Sequence, residues 1–161
     1  TWYYKAFILK DYYKEKESGK MDSKSRMQAI EAIKKNLELD PKNKYAEECK
    51  KIAAYLATTF YNDAAKELNE QKFQSAYNNY HNYLESVKIS QPLKTDTAAL
   101  FYAGYSAYMS KNNNEALNYF NKVLELKYRE PNLYYCLGKL YWSTGEKDKA
   151  INILTQGSKI F

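Results

Sequence analysis

His81 is the one histidine of the 161-residue sequence, so any triad or acid–base pair that uses imidazole must be built on it. Glu85 follows four residues later, which on a helix puts both side chains on one face, within reach of one metal ion. Two ligands make a weak site, and the pair reads more simply as a polar surface contact. Gly104-Tyr105-Ser106-Ala107-Tyr108 places a serine near a glycine but lacks the second glycine of a nucleophile elbow. No two of the five glycines lie closer than seven residues, which rules out a glycine-rich phosphate cradle. Cys49 and Cys136 stand without a CxxC spacing or a nearby His pair. Each reads as a buried free thiol, with a disulfide between them left open. No carboxylates form a distinctive pair. The sequence therefore assigns no catalytic, cofactor or metal residue, and the expectation is a chain that is not an enzyme.

The elements that would position any site are written in a repeat. Leu100-Phe101-Tyr102-Ala103-Gly104 aligns with Tyr134-Tyr135-Cys136-Leu137-Gly138, and 138 − 104 is 34 residues. Ala116 to Ala150 repeats the same 34. Each copy reads as two amphipathic helices split by a polar turn, Lys111-Asn112-Asn113-Asn114 in one and Thr144-Gly145-Glu146-Lys147 in the next. Gly104 and Ala116, and Gly138 and Ala150, are expected at the close crossing of each pair, with Phe120 and Leu154 filling the space between neighbouring pairs. One pair cannot bury its apolar faces alone, so the pairs must stack.

Earlier copies are looser. Ala64 to Ala76 keeps the 12-residue offset of Gly104 to Ala116, and the extra residues before the next copy fall around Pro92, which must stop a helix. Asp96 reads as the following N-cap. Between Pro41 and Pro92 there is neither Gly nor Pro, and Tyr45, Cys49, Ile52, Leu56, Phe60, Ala64 and Leu68 recur at helical steps. One long helix of about 27 residues is expected there, with a break near Thr58-Thr59 as the alternative. Trp2, Ala6 and Leu9 open a first pair that Ala29, Ile33 and Leu37 close. The polar stretch from Glu15 to Ser23 reads as an extended, mobile insertion between them.

These residues resemble the tetratricopeptide repeat, most closely in the last copy: Tyr134, Leu137-Gly138, Tyr141, Gly145, Ala150 and Leu154. The third copy carries Leu100, Ala103-Gly104, Ala116, Phe120 and Val123. Departures are Gly157 where Ala is usual, Asp63 and Glu67 at apolar positions, Lys5 for Leu and Asn36 for Ala. The overall run is similar to bacterial members. The resemblance implies an all-α, right-handed superhelical solenoid of about four antiparallel helix pairs. It would form one domain over 1–161, with pairs near 1–40, 44–88, 97–127 and 131–161 and a loop insertion near 15–23.

Such proteins bind peptides or partner proteins on the concave face lined by first helices. Carried over position by position, that face holds Tyr3, Tyr4 and Phe7; then Tyr61, Asn62 and Ala65. The third pair gives Phe101, Tyr102, Tyr105 and Tyr108, and the fourth gives Tyr135, Cys136, Lys139 and Trp142. Seven of the 18 tyrosines fall on it, whereas Tyr80, Tyr83, Tyr134 and Tyr141 fall on core positions. A tyrosine couples an apolar ring to a polar tip at small entropic cost, which suits a contact surface. The plainer reading is that these rings pack between repeats, and that an AT-rich genome raises Tyr, Lys and Asn together. The carboxylate clamp of co-chaperone members is not expected, since only Lys139 is basic among its positions.

The net charge of +6 is diffuse, and Arg26 and Arg129 are the only arginines, so base-edge readers have little to work with. Single-stranded nucleic acid stacking on the aromatic rows remains a lesser alternative. Another is a scaffold that self-associates through the apolar end Ile151, Ile153, Leu154, Ile160 and Phe161, which no polar residue caps. No apolar run is long enough for a spanning helix. The sequence begins at Thr1 with no Met and no signal peptide, which reads as a mature or trimmed product and leaves exported and cytoplasmic locations both open. The partner's identity and the oligomeric state are not written in it.

Overall fold

Scarce Gly and Pro leave little to interrupt helices, and the computed structural model is helical almost throughout. It describes residues 1–20, 23–40, 42 and 44–161, and among these there is no strand. The α-helices are α1 Trp2–Tyr12, α2 Lys24–Leu39, α3 Ala46–Asn69, α4 Phe73–Ser90, α5 Thr97–Met109, α6 Asn113–Glu125, α7 Pro131–Ser143 and α8 Lys147–Ile160. The fold is thus all-α and made of successive helix pairs, the class that the repeat implies.

Helix ends follow local chemistry. Ser23 Oγ accepts from the Arg26 N–H, Asp96 from the Ala99 N–H, and Glu130 from the Asn132 N–H with Pro131 opening α7. Pro92 lies just beyond the end of α4 at Ser90. The turns after the first helices reverse through left-handed backbone at Gln71 (φ 57°), Lys111 (φ 65°) and Gly145 (φ 82°), so only the last copy uses the residue best suited to it. α3 is one helix of 24 residues. It does not break at Thr58-Thr59, whose hydroxyls bond back onto their own helix, at Ala54 O (3.3 Å) and Leu56 O (2.7 Å).

The insertion differs from the loop expected over 15–23. Tyr13–Glu17 continues α1 as a turn of π-helix, so the segment begins in helical conformation. Glu17 at its end accepts from Ser23 Oγ (2.6 Å) and Ser25 Oγ (2.5 Å). Those hydrogen bonds, Ser23 first, hold its carboxyl below the ordinary range. Met21 and Asp22 lie outside the described residues, as do Pro41 and Asn43.

The chain divides into two compact units, Thr1–Lys66 with His81–Thr95, and Glu67–Tyr80 with Asp96–Phe161. In the first unit α1 packs on α2. Its polar departures from the repeat pattern each have a task. Asn36 is buried and its Oδ1 accepts from the Tyr3 N–H (3.0 Å), giving α1 the cap that Thr1 does not supply. Lys5 lies over the Trp2 ring at 5.0 Å, as Lys35 does at 4.6 Å. Asp63 meets Arg26, which is wholly buried, at 2.7 Å. Glu85 receives Lys34 Nζ at 2.8 Å and also Lys88.

Burial alone would push the Glu85 carboxyl up, but the hydrogen bonds and charges of Lys34 and Lys88 outweigh it and hold the group at about 2. A carboxylate whose folded value lies below its unfolded one stabilises the fold above the unfolded value. That stability is lost as pH falls from about 4.5 toward 2, and with both lysines exposed it amounts to about 1 kcal/mol. Urea midpoints of the wild type and Glu85→Gln should therefore differ at pH 6, and the gap should narrow by about half at pH 3. A gap independent of pH would refute this.

In the second unit α5 packs on α6 and α7 on α8, and α7 also touches α5 and α6. Phe101, Phe120, Val123, Leu133, Leu137 and Leu140 form the centre of its core. Gly104 and Gly138 do not simply face Ala116 and Ala150. A Cβ on Gly104 would lie 2.8 Å from the Phe120 ring, and one on Gly138 would lie 2.6 Å from Leu154. Phe120 and Leu154 thus fill space within their own pairs, rather than only between pairs. Glu67, almost wholly buried, accepts from Asn79 Nδ2 at 2.8 Å.

Candidate functional site

Glu85 is held by lysines, as above, Ser106 is buried, and Cys49 and Cys136 are free buried thiols. Burial, then the charge of Glu130, pushes the Cys136 thiol up to about 11, which leaves it unreactive near neutral pH. Among the described residues no three His, Cys, Asp or Glu side chains group as a metal site. None of the described helices is long and apolar enough to cross a membrane.

What remains is surface, and each unit has an aromatic face. In the first unit, Tyr3 stacks on Tyr45 with centroids 4.4 Å apart and planes 5° from parallel. Tyr4 meets Tyr45 edge-on at 5.9 Å, and Phe7 lies 6.3 Å from Tyr3. A hydrogen bond to Tyr45 pushes the Tyr4 hydroxyl up, while the bonds from Tyr4 and then Lys44 bring Tyr45 down. Beside this cluster is a pocket of about 340 Å³, lined from the α1 side by Tyr3, Phe7, Lys10 and Lys14 and from α3 by Glu48, Lys51, Ile52 and Tyr55. Farther along α3, Tyr61 is half-buried and meets Tyr83 edge-on at 5.1 Å. Asn62 is exposed and Ala65 half-buried.

In the second unit, Phe101 was expected on the face but belongs to the core, 5% exposed. Its ring is covered by Tyr105 (6.1 Å, stacked) and touches Phe120 and Tyr128. Cys136 is likewise buried. Tyr102 stacks on Tyr80 at 5.8 Å and keeps its edge exposed. Tyr135 and Trp142, seven residues apart on α7, are 55% and 57% exposed, with exposed Lys139 between them. Tyr108 is half-buried; burial, then Cys136, Tyr135 and Tyr105, raises its hydroxyl. Tyr108 and Lys139 line one shallow groove of about 360 Å³ with Met109, Lys111, Asn113, Leu140 and Ser143. Of the tyrosines expected in the core, Tyr80, Tyr83 and Tyr134 are buried and Tyr141 is half-buried.

The sequence reading missed the pocket residues of α3. Glu48, Tyr55 and Asn62 are successive seven-residue steps, and so are Tyr3 and Lys10, and Phe7 and Lys14. Extending the expected positions along their own helices by that step would have found the pocket.

Residues 131–160 match the family model of the tetratricopeptide repeat. One solved structure of MamA is 22% identical, with a TM-score of 0.55 over 91% of this chain and 72% of that one. Another MamA structure is 15% identical, with a TM-score of 0.51 over 96% of this chain and 91% of that one. At these identities the likeness is one of fold. Comparison with curated proteins gives no sequence match.

Proposed function

We propose that the chain, whose residues 131–160 match the tetratricopeptide-repeat family model, is a non-enzymatic module whose first-helix aromatic rings receive a segment of a partner protein. The family works typically by protein–protein contact rather than catalysis. The observation that carries the finer reading is where large rings are left in water. Phe60, Tyr80 and Phe120 are sealed in the core, whereas Tyr4 and Phe7 on α1 and Tyr135 and Trp142 on α7 stand exposed. In each unit, exposed rings on a first helix with lysines beside them form a face that a partner could cover by area burial, with tyrosine hydroxyls for its backbone. Tyr3, Tyr61 and Asn62 join this reading in the first unit, and Tyr102, Tyr105 and Tyr108 join it in the second.

A random dodecapeptide phage library panned on the immobilised protein tests this. Enrichment of peptides with apolar or aromatic residues is expected. Their binding should disappear in the Tyr135→Ser/Trp142→Ser variant while its helical circular dichroism is retained, since both rings are exposed. Selected peptides that bind this variant unchanged would show that these rings are not the contact.

Self-association has its own observation. Ile151, Leu154, Ile160 and Phe161 are each exposed on or just after α8, apolar surface that a second copy could cover. Light scattering that gives a monomer mass at high concentration would remove this reading. Nucleic acid gains no support: Arg26 is buried, so Arg129 is the one arginine at the surface among the described residues.

A further inference from the structure

The pocket between α1 and α3 carries a charge pattern that the aromatic face alone does not require. Its apolar lining, taken as its floor, is Tyr3, Phe7, Ile52 and Tyr55, and its charged lining, taken as its rim, is Lys10, Lys14 and Lys51 with one carboxylate, Glu48. Lys10 is paired with Asp11 and lies over the Phe7 ring at 4.6 Å. Lys14 and Lys51 form no ion pair with another described residue and are exposed.

We infer that this pocket takes an acidic segment of a protein partner, with one aromatic or aliphatic side chain seated on the floor and flanking carboxylates held by Lys14 and Lys51. The inference rests on the partner-binding reading above and names the chemistry of the partner. A volume of about 340 Å³ is at the small end of ligand pockets and suits one large side chain with its neighbouring backbone. Seating that side chain expels water from the floor, which strengthens the lysine–carboxylate attraction at the rim. A basic segment would bring like charges to the same rim and be rejected.

The same geometry disfavours a nucleic acid strand. Tyr45 covers one face of Tyr3 and Lys10 lies over one of Phe7, which leaves fewer ring faces on which a base could stack. No arginine lines the pocket.

Fluorescence anisotropy on the full chain tests the assignment, with a labelled dodecapeptide of Asp and Glu around a central Phe. Two controls replace the acids by Lys or the Phe by Ala. The acidic Phe peptide should bind about tenfold more tightly than either control. Lys14→Gln/Lys51→Gln should lose about tenfold of that affinity with unchanged circular dichroism, and Lys14→Glu/Lys51→Glu should come to prefer the basic peptide. Equal binding of acidic and basic peptides, or unchanged binding by the glutamine variant, overturns the inference. So does a uridine oligomer that displaces the acidic peptide and binds more tightly. If phage-selected peptides still need Tyr135 and Trp142 while the acidic peptide fails, the charge assignment alone falls and the module reading stands.

Discussion

Asp63→Ala is expected to lower the unfolding free energy by about 3 kcal/mol, the largest loss of any single substitution considered. Arg26 is wholly buried, its guanidinium between the rings of Tyr13 (4.8 Å) and Phe60 (4.5 Å), with the Asp63 carboxylate at 2.7 Å. Rings stabilise a cation but do not replace a counter-charge in a dry site. Removing Asp63 takes the carboxylate at 2.7 Å away from a buried guanidinium, whereas removing both side chains leaves no such charge to compensate. Arg26→Met/Asp63→Leu, which restores the apolar residue of the repeat pattern, should therefore regain most of the loss. Urea unfolding of the wild type, Asp63→Ala and the double variant measures both steps. A double variant no more stable than Asp63→Ala would mean that the pair is needed for packing rather than for neutrality.

That pair also marks how far the sequence could be read. Two glycines and two alanines at 34-residue spacing were enough to place the last two helix pairs, and unbroken helical periodicity was enough for α3. Both are local signals. Asp63 and Glu67 were visible only as departures from an apolar pattern. Their partners, Arg26 and Asn79, lie on other helices, and nothing along the chain says which polar residue will meet which. Along the chain Arg26 shows only as one of two arginines. The π-turn at Tyr13–Glu17 was missed for a related reason. Its composition is that of a solvated loop, and what makes it helical is the inward turn of Tyr13 onto Arg26 and the closure of Glu17 on Ser23 and Ser25. The site was half legible. The repeat register picked out the exposed rings of α1 and α7, but it could not tell Phe101, which the packing of Tyr105 and Phe120 draws into the core, from its exposed neighbour Tyr102.

Repeats in register need not respond alike, and Gly104→Ala and Gly138→Ala should separate them. Alanine for glycine inside a helix is by itself favourable by about 1 kcal/mol. Against that, a Cβ at Gly138 would meet Leu154 at 2.6 Å, closer than the 2.8 Å from Gly104 to the Phe120 ring. Distance alone would rank Gly138→Ala as the worse change. The surroundings reverse the order. Leu154 is 44% exposed, and a turn about χ1 would carry both its Cγ and its Cδ2, each at 2.6 Å, toward water, so Gly138→Ala should stay within about 1 kcal/mol of the wild type. Phe120 is wholly buried, and the backbone side of the new methyl is closed by Tyr119 Cβ at 3.1 Å. The ring has nowhere to move, so Gly104→Ala should cost about 2 kcal/mol after the gain in helix propensity. Adding Phe120→Leu to Gly104→Ala should recover part of that loss by making room, whereas Phe120→Leu alone in the wild type should destabilise by opening a void. Thermal or urea unfolding of the four variants decides it. A Gly138→Ala loss larger than that of Gly104→Ala would mean that α8 holds Leu154 as firmly as α6 holds Phe120.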